Sequence, residues 1–218
     1  MQMYSKSIPF SNKILQENIS GGRILDIGGA HYPGRINLLS ESADEAFLLD
    51  PEFPSQEMAP KVQYIGSKIE DAPSQYHGTF DNIIASNVLE HLEDPELAIK
   101  AIRKLLKPQG RLHILTPNCE SLNRRIGVLM GAMDHIRVIP PNEVAIGHLQ
   151  TFTVADMRSL LQANSFEIRT CRGVLLKPVP TPEMIQWPEE RIKAYFEIAA
   201  EVPPELCHEV YFHATLKD

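Results

Sequence analysis

Cysteine is scarce in this chain and scattered along it. Among 218 residues there are three, Cys119, Cys171 and Cys207. An odd number with no short spacing excludes a disulfide framework and a cysteine zinc site, and suits a reducing cytosol. No apolar run comes near the ~20 residues that cross a bilayer. The stretch from Met1 to Phe10 lacks the apolar core of a signal peptide. Basic residues are in the minority, 21 Lys and Arg against 28 Asp and Glu, for a net charge of −7. No broad basic face follows from that balance, so nucleic acid is a poor partner. Internal repeats and low-complexity tracts are missing too. These absences lead to the expectation of a soluble, cytoplasmic protein that binds neither membrane nor nucleic acid.

What is present is an ordinary globular balance, with 43% hydrophobic and 22% charged residues, enough for one domain over residues 1–218. Short apolar runs recur between helical stretches: Arg23–Gly28, Ala46–Asp50, Val62–Gly66, Phe80–Ser86 and Gly110–Thr116. Such alternation predicts a doubly wound α/β fold with a mostly parallel sheet covered on both faces. Further strands are expected at Phe166–Val174 and Glu209–Leu216, making seven. A helix is predicted from Pro95 to Leu106, capped by Asp94, with Leu97, Ala101, Ile102, Leu105 and Leu106 on its inward face. Another starts at Thr153, where Asp156 completes a capping-box pattern. The segment before Gly21 reads as a helix over the site.

Two stretches break the rhythm. Residues 117–150 contain a helical pattern at Leu122–Met130, and residues 178–204 carry prolines at both ends of a helix, Glu189–Ala200. Long insertions in compact domains are commonly functional. Both follow strands whose carboxyl ends face the expected ligand crevice, so they are the expected acceptor pocket above the cofactor-binding half, residues 21–116.

The first chemical signal is Leu25-Asp26-Ile27-Gly28-Gly29-Ala30 at the end of the first strand. Glycine there permits a sharp turn and a close backbone approach to a ligand. The second is Asp50 at the tip of the second strand, an acid positioned to accept hydrogen bonds from a ribose diol. Together they favour a nucleoside-containing ligand at the carboxyl edge of the sheet. The G-x-G-x-x-G spacing usual in NAD dehydrogenases is absent after Ile27.

The block FDNIIASNVLEHLEDPELAIKAIRKLLKPQGRLHILTPN, with ILDIGG and LLD before it, resembles the class I S-adenosylmethionine-dependent methyltransferase family. The likeness runs from about Arg23 to Arg172 and is nearest to the subgroup that modifies small molecules. It implies a Rossmann-like sheet, S-adenosylmethionine as cofactor and S-adenosylhomocysteine as product. Residue by residue it places Asp26, Gly28 and Ala30 around the methionine end, Asp50 at the ribose, and Ile69 and Glu70 in the adenine loop. Asn87 follows the fourth strand, where the family's backbone passes beneath the reactive methyl. Lys68 stands where an acid is common in relatives. Glu90 and His91 are implied to be chiefly structural, holding this loop.

Methyl transfer to a hydroxyl needs a base, commonly histidine. His148, between the insertion and the helix at Thr153, is the candidate, ahead of His135 inside the insertion. No two histidines have a local metal-ligand spacing, so no metal is expected. The leading expectation is O-methylation of a small-molecule acceptor. An N- or carboxyl-methyltransferase and a catalytically silent partner subunit are the alternatives, and a homodimer is left open.

Overall fold

The computed structural model describes residues 2–19 and 21–217, without the side chains of residues 2–9. Its centre is a seven-stranded sheet in the order β3-β2-β1-β4-β5-β7-β6. The strands are β1 (Arg23–Ile27), β2 (Glu45–Asp50), β3 (Val62–Gly66), β4 (Phe80–Ser86), β5 (Leu106–Pro117), β6 (Phe166–Leu175) and β7 (Glu209–Leu216). The first five pair in parallel, and β7 runs antiparallel to both β5 and β6. The strand order reverses between β1 and β4, which opens a crevice outside their carboxyl ends.

Period-two alternation sends neighbouring residues to opposite cores. Leu25 and Ile27 join Phe47, Leu49, Ile83 and Ala85 on one face. Ile24 joins Ala46, Leu48 and Ile84 on the other. Asp26 shares the face of Ile24, and there helix α2, defined below, packs with Ile36 and Leu39. Apolar residues on both faces of β1, β2 and β4 are what a sheet buried on two sides requires.

The helices are α1 (Gln2–Asn18), α2 (Gly34–Ser40), α3 (Pro95–Leu105), α4 (Leu122–Leu129), α5 (Pro141–Val144), α6 (Val154–Ala163), α7 (Thr181–Met184) and α8 (Glu189–Glu197). Asp94 caps α3 by accepting from the Leu97 amide at 2.9 Å. Thr153 and Asp156 form the expected capping box on α6. The described side chains of α1, Ile14 and Leu15, pack with Ile24, Ile36 and Phe196 on one sheet face. The expectation that this segment covers the site falls in part on side chains outside the described residues.

Two local readings are corrected. Leu97 is not on the inward face of α3 but 48% exposed; the buried stripe is Ala98, Ile99, Ile102 and Leu105, one residue further round the helix. β5 starts at Leu106, not Gly110. Leu106 pairs with Phe80 and Arg111 with Asn82, so the chain between them bulges out of register. Pro108 and Gly110, just past the end of α3, occupy that bulge.

Candidate active site

The turn after β1 is held from three sides. Gly28 adopts a left-handed φ of 71°, and its amide donates to the Leu49 carbonyl at 2.9 Å. A Cβ there would lie 2.6 Å from Cγ2 of Val88. The Ala30 amide donates to Oδ2 of Asp50 at 3.0 Å, and the Glu52 amide to Oδ1 at 2.9 Å. One amide on each oxygen leaves each with a further acceptor position. Asp50 therefore both ties the β1 turn to β2 and keeps capacity for a diol.

Asp26 lies deeper. Arg35 from α2 grips it through Nε at 2.9 and 3.1 Å and Nη2 at 2.8 Å, and both side chains are buried. Burial raises the Asp26 pKa above the usual carboxylate value even though the Arg35 charge and hydrogen bonds lower it; Asp50 pushes it further up.

After β3 the chain makes a short 3-10 turn, Ile69–Asp71, with Ile69 buried and Glu70 half-buried. These residues lie on the same carboxyl edge as Asp50. Beyond β4, Asn87 takes a left-handed φ of 54°. Its amide donates to the Leu115 carbonyl at 2.8 Å, and its Nδ2 to Oε1 of Glu209 at 3.3 Å. Burial pushes Glu209 up to about 7, with the Asn87 hydrogen bond and Arg35 pulling the other way. The strand ends thus bring Gly28, Asp50, Asn87 and the Ile69 turn to one edge, and a glycine turn with a spare-acceptor acid beside it fits a nucleoside cofactor there.

The insertion closes a second, adjoining space. Arg124 on α4 donates through Nη1 to the Ile136 and Val138 carbonyls at 3.0 and 2.7 Å, and through Nη2 to Oε2 of Glu143 at 2.5 Å. The Leu149 and Gln150 amides donate back to the Glu90 carbonyl at 2.9 and 3.3 Å. Asn118 bridges to Phe152. These ties carry His148 against the turn Leu89–His91. Nδ1 of His148 lies 3.6 Å from Oε2 of Glu143. Its ring meets that of His91 edge-on, with centroids 4.8 Å apart. Glu90, Asn118, Arg124, Glu143, His148 and Thr151 line the cavity between them.

Glu90 is the unusual member. It is buried, and neither carboxylate oxygen has a hydrogen-bond partner. Burial is the largest cause that pushes it up to about 8; its own amide, near but outside hydrogen-bonding geometry, offsets some of this, and Glu209 and Glu143 add to it. Burial also lowers His91, with the neighbouring His148 in the same direction. Lys177 at the edge of this cluster is brought down to about 8 by burial. His135, the second histidine candidate, is exposed and accepts from the Arg137 amide at 3.2 Å in a turn contact, and it does not line the cavity. Glu143 and Arg124 were missed from the sequence because nothing local marks them; only the folded insertion aligns them with His148.

The model of a family described as a methyltransferase domain matches residues 2–170. The chain is 29% identical over 173 residues to the ubiquinone biosynthesis O-methyltransferase of Xanthomonas euvesicatoria pv. vesicatoria, covering 73% of this chain and 69% of that protein. It is 28% identical over 170 residues to the mitochondrial ubiquinone biosynthesis O-methyltransferase of Bos taurus, covering 73% and 45%. Among solved structures it resembles the Burkholderia thailandensis 1,6-didemethyltoxoflavin-N1-methyltransferase with bound 1,6-didemethyltoxoflavin and S-adenosylhomocysteine. There the TM-score is 0.63 at 16% identity, over 98% of this chain and 79% of that one. An S-adenosylmethionine dependent methyltransferase from Mesorhizobium loti matches with a TM-score of 0.61 at 15% identity, over 93% and 96%. The structural likenesses concern the fold.

Proposed function

The chain belongs to the class I S-adenosylmethionine-dependent methyltransferases, and from that membership we propose that it methylates a hydroxyl of a small molecule seated between β4, β5 and the insertion. The observation that carries this reading is the linked series Arg124, Glu143, His148 beside the cofactor edge. A carboxylate that faces one imidazole nitrogen orients the ring and leaves the other nitrogen for a substrate proton. The curated relatives, named as O-methyltransferases, support the same acceptor chemistry.

When bound, S-adenosylmethionine supplies an electrophilic methyl on a sulfonium. The chain's own work is alignment and the acceptor's proton. Asp50 would hold the ribose through its remaining acceptor positions, while Asp26, Gly28 and Ala30 shape the methionine end. Ile69 and Glu70 would flank the adenine. Asn87 would present its backbone beneath the methyl, its left-handed turn stabilised by Glu209. His148 would take the hydroxyl proton, and Arg124 would keep Glu143 ionised and in place. Burial works against that ionisation, but the His148 and Arg124 contacts prevail and lower the Glu143 pKa. Val144, Ile146 and Leu149, exposed on the insertion next to the cavity-lining Glu143 and His148, would suit an acceptor with an aromatic or aliphatic body.

No helix among the described residues is long and apolar enough to cross a membrane. The three cysteines are free thiols, which supports a reducing, cytosolic setting.

The test measures S-adenosylhomocysteine release over a panel of phenolic, sugar, amine and carboxylate acceptors. Turnover is expected with hydroxyl acceptors. His148→Ala should lower it ~100-fold or more, with cofactor affinity within about twofold of the parent. Selective turnover of amines would overturn the hydroxyl assignment, and full activity of the variant at neutral pH would remove His148 from proton transfer.

A further inference from the structure

Glu90, His91 and His148 offer three donor atoms that all lie within 4.8 Å of one another. We propose that these three side chains bind a divalent transition-metal cation at the wall of the acceptor cavity. Local spacing in the sequence pointed to no metal. The fold supplies what spacing could not, because His148 reaches the Glu90 turn only through the insertion.

Four observations meet here. The Glu90 carboxylate is buried with both oxygens unpartnered, and an ionised group in that position needs a cation or a metal. Among the described residues none donates to it; the charges nearest to it in kind are Glu209 and Glu143, both acids. Each histidine, in turn, has a neighbour that can orient its ring. His148 places Nδ1 3.6 Å from Oε2 of Glu143, and His91 lies against the backbone of Gly147. A carboxylate or carbonyl on the far nitrogen is how metal-binding histidines are usually oriented. Finally, Glu90 and His148 line a cavity, which leaves coordination positions open to a ligand.

The donor set narrows the ion. Two imidazoles and one carboxylate suit Zn2+, Co2+, Mn2+ or Fe2+; Mg2+ and Ca2+ prefer all-oxygen shells. Donors around an ion at ~2.1 Å stand roughly 3.4 Å apart in a tetrahedron. The present spread therefore contracts on binding, by rotation about the side-chain bonds of His91 and Glu90. A cation at this point would lower the pKa of an acceptor hydroxyl that approached it. With the ion bound, His148 is a ligand, and deprotonation passes from the imidazole to the ion's charge. This catalytic consequence rests on the O-methylation reading; binding of the ion does not.

The experiment is a titration of chelator-treated full-length protein with Co2+ and with Zn2+, without cofactor or acceptor. Calorimetry should report one site, and Co2+ should develop visible d–d absorption of a nitrogen- and oxygen-ligated centre. Glu90→Gln, His91→Gln and His148→Gln should each weaken binding at least tenfold, and the exposed His135→Gln should not. Mg2+ at the same concentrations should give no saturable heat. Thermal melts check folding, and if Glu90→Gln fails to fold, the two histidine variants carry the decision. Unchanged Co2+ spectra and affinity in folded variants, or no saturable binding to the parent protein, would overturn the site. Tight binding that depends on these residues, with no turnover of any hydroxyl acceptor, would instead defeat the O-methylation reading and leave the site standing.

Discussion

Arg35 holds Asp26 through two nitrogens on two oxygens, and the pair is sealed beneath the turn that follows β1. The geometry is bidentate, the strong form of a charge-assisted bond. It joins the last turn of one strand to the helix that starts the next crossover. Arg35→Met keeps the apolar stem but leaves a buried acid without its cation, which costs about 3–5 kcal/mol. Urea denaturation at pH 7 should show that loss. Asp26→Asn/Arg35→Met should recover part of it, and a double variant no more stable than Arg35→Met alone would show that the pair is not the source.

Gly28 meets a neighbour before it meets any ligand. Its φ of 71° already disfavours a side chain, by about 1–2 kcal/mol, and an added Cβ would press on Val88. Gly28→Ala should therefore lower stability and cofactor affinity together. Val88→Ala in the same chain should relieve the contact, so the two changes should be less than additive by ~0.5–3 kcal/mol. Strict additivity by denaturation would place the cost in the backbone alone.

Asp50 ties the β1 turn to β2 and, in the proposed function, holds the ribose; substitution can separate the two. Asp50→Asn retains one oxygen for a backbone amide but loses the charge, and Asp50→Ala loses both. Calorimetry with S-adenosylhomocysteine should give roughly tenfold weaker binding for Asp50→Ala, and Asp50→Asn should fall between it and the parent. Parent-like affinity in both variants would remove Asp50 from the ribose site.

The pH dependence of stability should carry the mark of His113. It is buried between β4 and β7, with Nδ1 2.8 Å from the Tyr211 hydroxyl and Nε2 3.2 Å from Oδ1 of Asn82. Burial, and then His213 and Arg111, bring its pKa down from 6.5 to about 3. The unfolded chain binds this proton near pH 6.5 and the folded chain does not. Stability from this group is complete above pH 6.5 and falls as pH drops toward 3, by about 1.4 kcal/mol per pH unit. His113→Gln should lose about 2 kcal/mol less than the parent between pH 7 and pH 5. Other titrating groups, including Glu90 and Glu209, are common to both proteins and cancel. Parallel pH curves would rule out this assignment.

The sheet was largely legible in the sequence because its strands are apolar on both faces and bounded by glycine, proline or aspartate. β3, β4 and β7 match the expected bounds at Val62–Gly66, Phe80–Ser86 and Glu209–Leu216. Leu97 was misplaced because periodicity locates a helix face only to within a residue when leucine and isoleucine flank its edge. The bulge at Pro108 was hidden for another reason: proline and glycine mark irregular backbone without saying whether it lies inside a strand. The glycine turn and Asp50 could be read because both act through local chain order. Arg35, Glu143 and Arg124 could not, since each acquires its meaning from a partner brought near by tertiary packing. Phe196 of α8 is buried in the core, and Tyr195 of α8 and Trp187, between α7 and α8, pack partly buried against it.

Arg124 anchors two carbonyls and a carboxylate of the insertion at once. An internal clasp of that kind braces the segment from 122 to 143 against itself. The two halves of the enzyme can then diverge at different speeds. In the proposed function the edge that takes the cofactor would be constrained by it, and the braced segment would be free to be resculpted, or exchanged whole, as the acceptor changes.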